Sequence, residues 1–380
     1  MSKKKTRPKR SNSPPEPWKK GAGSIAAMEQ HIMNALRSAY TRAKSQNEKN
    51  HVKTLVTTDF LDDLQTGIRH CLRHGWHAIV ASAYVDTHPR IRYSVPGSST
   101  PDPTIEIGDV LFLKTVHQKG RPSGGKAWLH QAKRTLAAVT GGPPITNAAQ
   151  CKDQLAFAKN WYRFELDYPA GAPSTLTFDI PAKHKQVDLK TLEWWTAVWA
   201  DPVMPIPSGD DWSGEPWIAC NVGTPTSFHS LGSSITDFLR DVGGVGKDYA
   251  ETQAPVPSSP NQIHGWNELI AALLELCRNR KVTVGHKGST DPMMSRVAIS
   301  SLMSSLPICD RTQWITAIAD LPSGLQTLDT WWRESSSERE SSNAQGPTKP
   351  HSLEHDGDDT GFAVVQIHLI EGRNARRQKG

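Results

Sequence analysis

The sequence predicts a mixed α/β (α+β) fold, and three observations lead there. β-prone apolar runs cluster in the first half, at 78–85, 90–95, 104–115 and 126–133. Amphipathic helical patterns bracket them, at 59–74 and 148–164, and helical periodicity dominates again from 234 onward. A last apolar run, GFAVVQIHLIEG (361–372), reappears after a long polar stretch. The chain has 380 residues, 37% of them hydrophobic and 13 of them Trp, enough for one large core or two smaller ones.

Taken in order, residues 1–22 are rich in Lys, Pro and Ser and read as a disordered basic arm. One polar helix is expected over 23–50. In the helix at 59–74, Phe60, Leu61, Leu64, Ile68, Cys71 and Leu72 recur at three- and four-residue spacings, with Thr58 or Asp59 as its cap. TIEIGDVLFLKT (104–115) and KAWLHQAK (126–133) are two strands joined by a Gly/Pro/Lys turn, as in a hairpin. Asn147 and Gln150 have capping-box spacing at the start of the 148–164 helix. DLKTLEWWTAVWA (188–200) reads as a further helix, its tryptophans packed in the core or stacked on bases. Residues 201–232 are irregular, with one strand at 216–222. Helices at 234–242, 264–279, 293–305, 310–320 and 325–333 then make a helical region over 230–333. Residues 334–360 are a polar, disordered linker, and 373–380 a basic tail. In the strand at 361–372, Phe362, Val364, Val365, Ile367, Leu369 and Ile370 occupy both faces, as in a strand covered on both sides. A lone strand is unstable, so it must dock on the core sheet or on a partner.

No run of 18 apolar residues is present to span a membrane, and the basic N-terminus lacks the apolar segment of a secretory signal. The five cysteines (71, 151, 220, 277 and 309) are scattered and form no CxxC pair. That pattern fits a reducing, cytoplasmic setting and speaks against a disulfide framework or structural zinc. The net charge is +6. The first 20 residues hold eight basic residues and one Glu (+7) and the last eight contribute +4, which leaves about −5 on the segment between. The ends are basic arms on a mildly acidic body. Lys3, Lys4, Lys5, Arg7, Lys9 and Arg10 suit a phosphate backbone, or else serve as a solubilising tail.

The chemistry-bearing residues lie in the hairpin. Residues two apart on a strand share a face, so Gln131 and Lys133 in LHQAKR point together. Asp109 sits among apolar residues on the preceding run. Burying an isolated carboxylate or ammonium is costly. A divalent cation between them makes three such groups tolerable, and hard cations take one or two carboxylates plus water and phosphate. Asp109 would bind the metal, with the Gln131 side-chain oxygen and the Ala132 backbone carbonyl completing the protein ligands. Lys133 would orient the attacking water or neutralise phosphoryl charge. Glu106, three residues before Asp109, would reach the same metal or a second one. Arg134, next to this motif, is a further candidate for phosphate binding.

IGD followed 22 residues later by QAK resembles the PD-(D/E)xK (restriction-endonuclease-like) nuclease superfamily, in its Mrr-like QxK variant. Gly108 stands in the position of the Pro, and Gln131 in that of the acid. The trailing helix with Gln150 and Gln154, and the aromatics Trp161, Tyr162 and Phe164, add to the likeness, which covers roughly 59–165. It implies a central mixed sheet flanked by helices, making 23–225 a nuclease domain. It also implies Mg²⁺ or Mn²⁺ as cofactor and hydrolysis of nucleic-acid phosphodiesters, DNA before RNA, in bacterial defence or a mobile element. A double-strand cutter of this kind needs two sites, hence a homodimer or a protein partner. Two other readings stand beside it: a catalytically inactive subunit of the same fold that binds nucleic acid or proteins, and a structural partner in a larger complex.

Other motifs have simpler readings. His70 and His74, with His77 and Cys71 nearby, read as a solvated helix face rather than a zinc site. DVGGVGKD (241–248) has the flavour of a phosphate loop but lacks the GxxxxGK[ST] spacing and a preceding hydrophobic strand.

Overall fold

A computed structural model describes residues 16–279 and 362–371, except 44–47, 86–88, 98–101, 119–120, 136–148, 169–173, 181–193, 201–204, 207, 210–211, 222–227, 251, 253–254 and 256–261. The helices expected at 293–305, 310–320 and 325–333, the linker, Asn147 and the basic residues 3–10 and 373–379 lie outside the described residues.

Helix α1 (Ala22–Arg42) is followed by α2 (Glu48–Thr54) and α3 (Thr58–Cys71), so the helix expected over 23–50 is two. Strands β1 (Trp76–Val85), β2 (Arg90–Tyr93), β3 (Thr104–Glu106), β4 (Val110–Gln118) and β5 (Arg121–Thr135) come next. After α4 (Ala149–Asn160) come β6 (Phe164–Tyr168), β7 (Ser174–Phe178), β8 (Trp194–Trp199), β9 (Ser208–Gly209), β10 (Trp212–Ser213), β11 (Trp217–Asn221) and β12 (Phe228–Ser230). Helix α5 (Leu231–Arg240), β13 (Lys247–Asp248), β14 (Ile263–His264), α6 (Trp266–Asn279) and β15 (Phe362–Glu371) complete the described elements.

Two mixed sheets result. The main one runs β1-β15-β4-β5-β8-β11-β12, with β13 pairing β5, and the smaller one runs β14-β7-β6-β2-β3. One core lies between the main sheet and helices α1, α2, α3 and α5, and holds Phe60, Leu64, Phe112, Trp128 and Phe238. The other lies between the two sheets and takes in α4 and α6, with Ile91, Leu111, Leu129, Phe157, Phe164 and Trp266. No helix among the described residues is long and apolar enough to cross a membrane.

Strand β15 lies inside the main sheet, antiparallel to β1 and parallel to β4. Nine of its ten residues are buried, which is why its apolar residues occupy both faces. Helix α5 packs on α1 and β11, and α6 fills the inter-sheet core, so the described part of 230–333 is no separate region but belongs to the same two cores as 23–225. The basic arm also ends earlier than composition suggests. Trp18 is buried, it bridges to Leu72, and the Arg73 N–H donates to the Pro17 carbonyl. One tryptophan is enough to dock residues that otherwise read as disordered.

Two further expectations need correction. The run 188–200 is not a helix where it is described: Trp194–Trp199 is β8, parallel to β5 and antiparallel to β11. A strand covered on both faces shows no alternation, and an apolar run of that length does not declare its period. The run 104–115 is two strands in two different sheets, β3 in the small one and β4 in the main one, parted at Ile107–Asp109. Gly108 marks the crossing. A Cβ there would sit 2.8 Å from Leu129 Cδ1 and 3.3 Å from the His130 carbonyl oxygen, so any larger residue would have to push the Leu129 side chain aside.

The segment DVGGVGKD has a structural account. Asp241 takes a left-handed conformation (φ 61°) as the C-cap of α5, and Gly243, Gly244 and Gly246 also have positive φ. The buried Lys114 ammonium donates to the carbonyls of Phe238 (3.3 Å) and Leu239 (3.1 Å) and to the Asp241 carboxylate (2.5 Å). It satisfies carbonyls that a helix end leaves over. Burial pulls the Lys114 ammonium below the usual lysine range, against the pull of Asp241.

Candidate functional site

Asp109 sits where the chain enters the main sheet, and its backbone is tied on both sides. Its N–H donates to the His130 carbonyl (3.0 Å) and its carbonyl accepts from Ala363 N–H (2.8 Å). Neighbouring strands therefore hold this residue before its side chain does anything. Asp109 is 2% exposed. Its Oδ2 accepts from the Gln131 side-chain Nε2 and, at 2.6 Å, from the Ala132 backbone N–H. A buried carboxylate needs such donors, and two N–H groups on one oxygen supply part of what water would.

Strand β5 places Gln131 and Lys133 on the face of the main sheet that borders the inter-sheet core, with Leu129. Both side chains are buried. Asp109, Gln131 and Lys133, singled out by spacing, thus share one face at one end of β4 and β5. Ala132 meets Asp109 through its N–H rather than its carbonyl. Glu106 ends β3 and is buried; its cross-strand neighbour is Arg90. It alternates with Ile105 and Ile107, which belong to the inter-sheet core, so it sits on the face of β3 turned away from that core. Arg134 projects to the opposite face from Gln131 and Lys133. Its Nη2 donates to the Ala200 carbonyl at 2.8 Å, and its charge reaches His51. It serves the join between β5 and β8 rather than the surface around Lys133.

The donor set suits a hard cation only in part. Asp109, the Gln131 amide and the Ala132 carbonyl offer oxygen, with a single carboxylate among the three. Among the described residues no group of three His, Cys, Asp or Glu side chains is placed to hold a metal. Such a set matches a cation that keeps most of its water and is completed by substrate phosphate, as Mg²⁺ commonly is. With a cation bound, the Gln131 amide would turn its oxygen inward and release Asp109. Helix α3 ends at Cys71, so of the three histidines only His70 lies on it, and it has another use. His70 stacks on His31 (5.2 Å, 8°) where α1 meets α3, and the neighbouring Cys71 thiol donates to the Ser24 carbonyl.

Two residues near the site were not visible from spacing. Trp195, on β8, is the register partner of Gln131 and lies on the same face, 1% exposed. The Lys133 Nζ lies 6.0 Å from the centroid of its ring. His130, between the two site residues and Leu129 but on the other face, stacks on Trp128 (4.7 Å) and Phe112 (5.6 Å), and its Nδ1 lies 2.7 Å from Thr196 Oγ1. Burial pushes its imidazole down to about 3, so it stays neutral. It packs the strand that carries the site. No protein-family model, curated protein or solved structure matches this chain.

Proposed function

We propose that the chain is a divalent-metal-dependent phosphodiesterase of the restriction-endonuclease-like type that cuts nucleic acid, DNA before RNA, with Asp109, Gln131 and Lys133 as its site. One observation carries the reading. A buried carboxylate and a QxK motif, 22 residues apart in sequence, meet on one sheet face, with the carboxylate bonded to the Gln131 side chain and the Ala132 N–H. Packing alone gives little reason to bury an acid, an amide and a lysine together. The mixed sheet flanked by helices supports the same reading.

When bound, Mg²⁺ or Mn²⁺ supplies a water of lowered pKa and polarises the phosphate. Asp109 would hold the cation together with the Gln131 amide oxygen, and Lys133 would neutralise charge that builds on the phosphoryl oxygens. Glu106 acts at a distance, as a neighbouring negative charge. The basic ends add sequence-independent attraction to the phosphate backbone.

The bonding of Asp109 also favours a second reading, an inactive nuclease-fold subunit. One of the two carboxylate oxygens, Oδ2, already accepts two N–H groups from its own chain. The purified protein decides between them. With Mg²⁺ or Mn²⁺ it should cleave single- or double-stranded DNA, EDTA should abolish cleavage, and folded Asp109→Asn and Lys133→Ala variants should fall to background. Wild-type protein that cuts no DNA or RNA, or variants that cut as well as it does, would leave the binding-subunit reading in its place.

A further inference from the structure

We infer that Trp195 is a fourth member of the site, a positioning residue whose indole face seats the Lys133 ammonium. The inference rests on the nuclease reading for its purpose, but its geometry stands apart from any activity. Parallel pairing of β5 with β8 sets Trp195 beside Gln131 and puts Lys133 beside Ala197. The indole therefore lies diagonally under the Lys133 side chain, with Nζ 6.0 Å from the ring centroid. That is within the range in which a cation is held by the negative face of an indole, the strongest aromatic seat.

Trp195 is 1% exposed, and its Nε1–H is buried with no hydrogen-bond acceptor, as are those of the core residues Trp161 and Trp217. What Trp195 adds is the Lys133 ammonium over its ring, for which an indole offers a larger and more negative face than a phenyl ring. A long, flexible lysine gives little to a transition state unless its ammonium is held in place beforehand. Strand β8 supplies that hold from the far side of β5, whereas Asp109 and Gln131 are fixed by β4 and β5 themselves.

The test reads Lys133 directly. Site-specific replacement of Trp195 by mono-, di- and trifluorotryptophan keeps the ring's shape and drains negative charge from its face. The acid dissociation constant of the Lys133 ammonium, followed by NMR at its Cε, should rise stepwise along that series. In Trp195→Leu it should rise about 2- to 30-fold, the span of an exposed to a desolvated cation–π interaction. Trp195→Phe, which keeps a ring face, should stay closer to wild type than Trp195→Leu. If the nuclease reading holds, cleavage should fall in the same order, in kcat rather than KM. A constant that does not move along the fluorinated series, in folded proteins, overturns the seat whatever the cleavage assay shows. A constant that moves in a protein that cuts nothing keeps the seat and removes the nuclease reading.

Discussion

Gln131 is the residue on which the proposed chemistry turns, because its amide faces a carboxylate across a hydrogen bond. Gln131→Glu would set a second carboxylate against Asp109 in a buried place, and two such groups cannot both ionise without a cation. The metal-free variant should therefore melt below wild type, and Mg²⁺ or Mn²⁺ should raise its Tm by more than it raises that of wild type. Equal metal responses would mean that no cation enters between residues 109 and 131. Glu106→Ala should lower cleavage only in part, since Glu106 sits on the outer face of β3; a loss as complete as that of Asp109→Asn would make it a ligand. His130 gives a separate readout at this scale. Its imidazole titrates near 6.5 when unfolded and is pushed down to about 3 when folded. A depressed histidine contributes its full stability above 6.5, and loses it as the unfolded chain takes up a proton below that pH. Between pH 6.5 and 5 the fold should lose about 2 kcal/mol from His130. Urea denaturation of wild type and His130→Gln over that window should show the variant losing less; parallel losses would mean His130 is protonated in the fold. Asp109, Gln131 and Lys133 were legible in the sequence because polar residues in apolar strands stand out and the two-residue period is strict. Trp195 was not, because its place beside Lys133 depends on a parallel pairing between strands some 60 residues apart, which leaves no local pattern.

At the scale of elements, β15 carries the most consequence. It lies second in the main sheet, between the edge strand β1 and β4, and its Ala363 N–H donates to the Asp109 carbonyl, so the last described strand braces the candidate site. Removal of residues 361–380 would separate β1 from β4, expose two sheet edges and open both cores at once. The protein ending at residue 360 should aggregate or lack a cooperative thermal transition, checked by calorimetry and light scattering. A truncated chain that melts like the full one would show that β1 and β4 close on each other without it. The strand itself was readable from six apolar residues on two faces, but its slot between β1 and β4 was not, since nothing local encodes an insertion. The reverse holds for 188–200, where spacings of Leu and Trp mimic a helix and the pairing of β8 with β5 and β11 overrides them. The split of β3 from β4 was half legible. Gly108 is visible in the run, yet its reason is the close approach to Leu129 across the β4–β5 pairing, which the run itself does not show.

For the molecule as a whole, the distribution of charge sets how it would meet a polyanion. The body between the ends carries about −5, while the first 20 residues carry +7, so a neutral or repelled body is tethered to an attractive arm. The arm joins the fold at Trp18, which docks on Leu72 at the end of α3, and Lys19 donates to the His70 carbonyl at 2.6 Å. Residues 3–10 hold six of the arm's basic side chains, ahead of that anchor. Deleting residues 1–15 removes those six and leaves Trp18, so the fold and its Tm should be unchanged. On duplex DNA, each phosphate that the arm neutralises steepens the fall of log affinity with log salt by about 0.9. If half of those six side chains sit on phosphates, the deletion should flatten the slope by roughly three, and affinity at low salt should drop far more than affinity at high salt. Binding to labelled duplex DNA, measured across a salt series for both proteins, reads this directly, and metal can be left out so that cleavage does not interfere. Parallel salt lines with equal intercepts would assign the arm to solubility and leave DNA binding to the rest of the chain, where the basic residues at 373–379 and the candidate site would have to overcome the negative charge of the body.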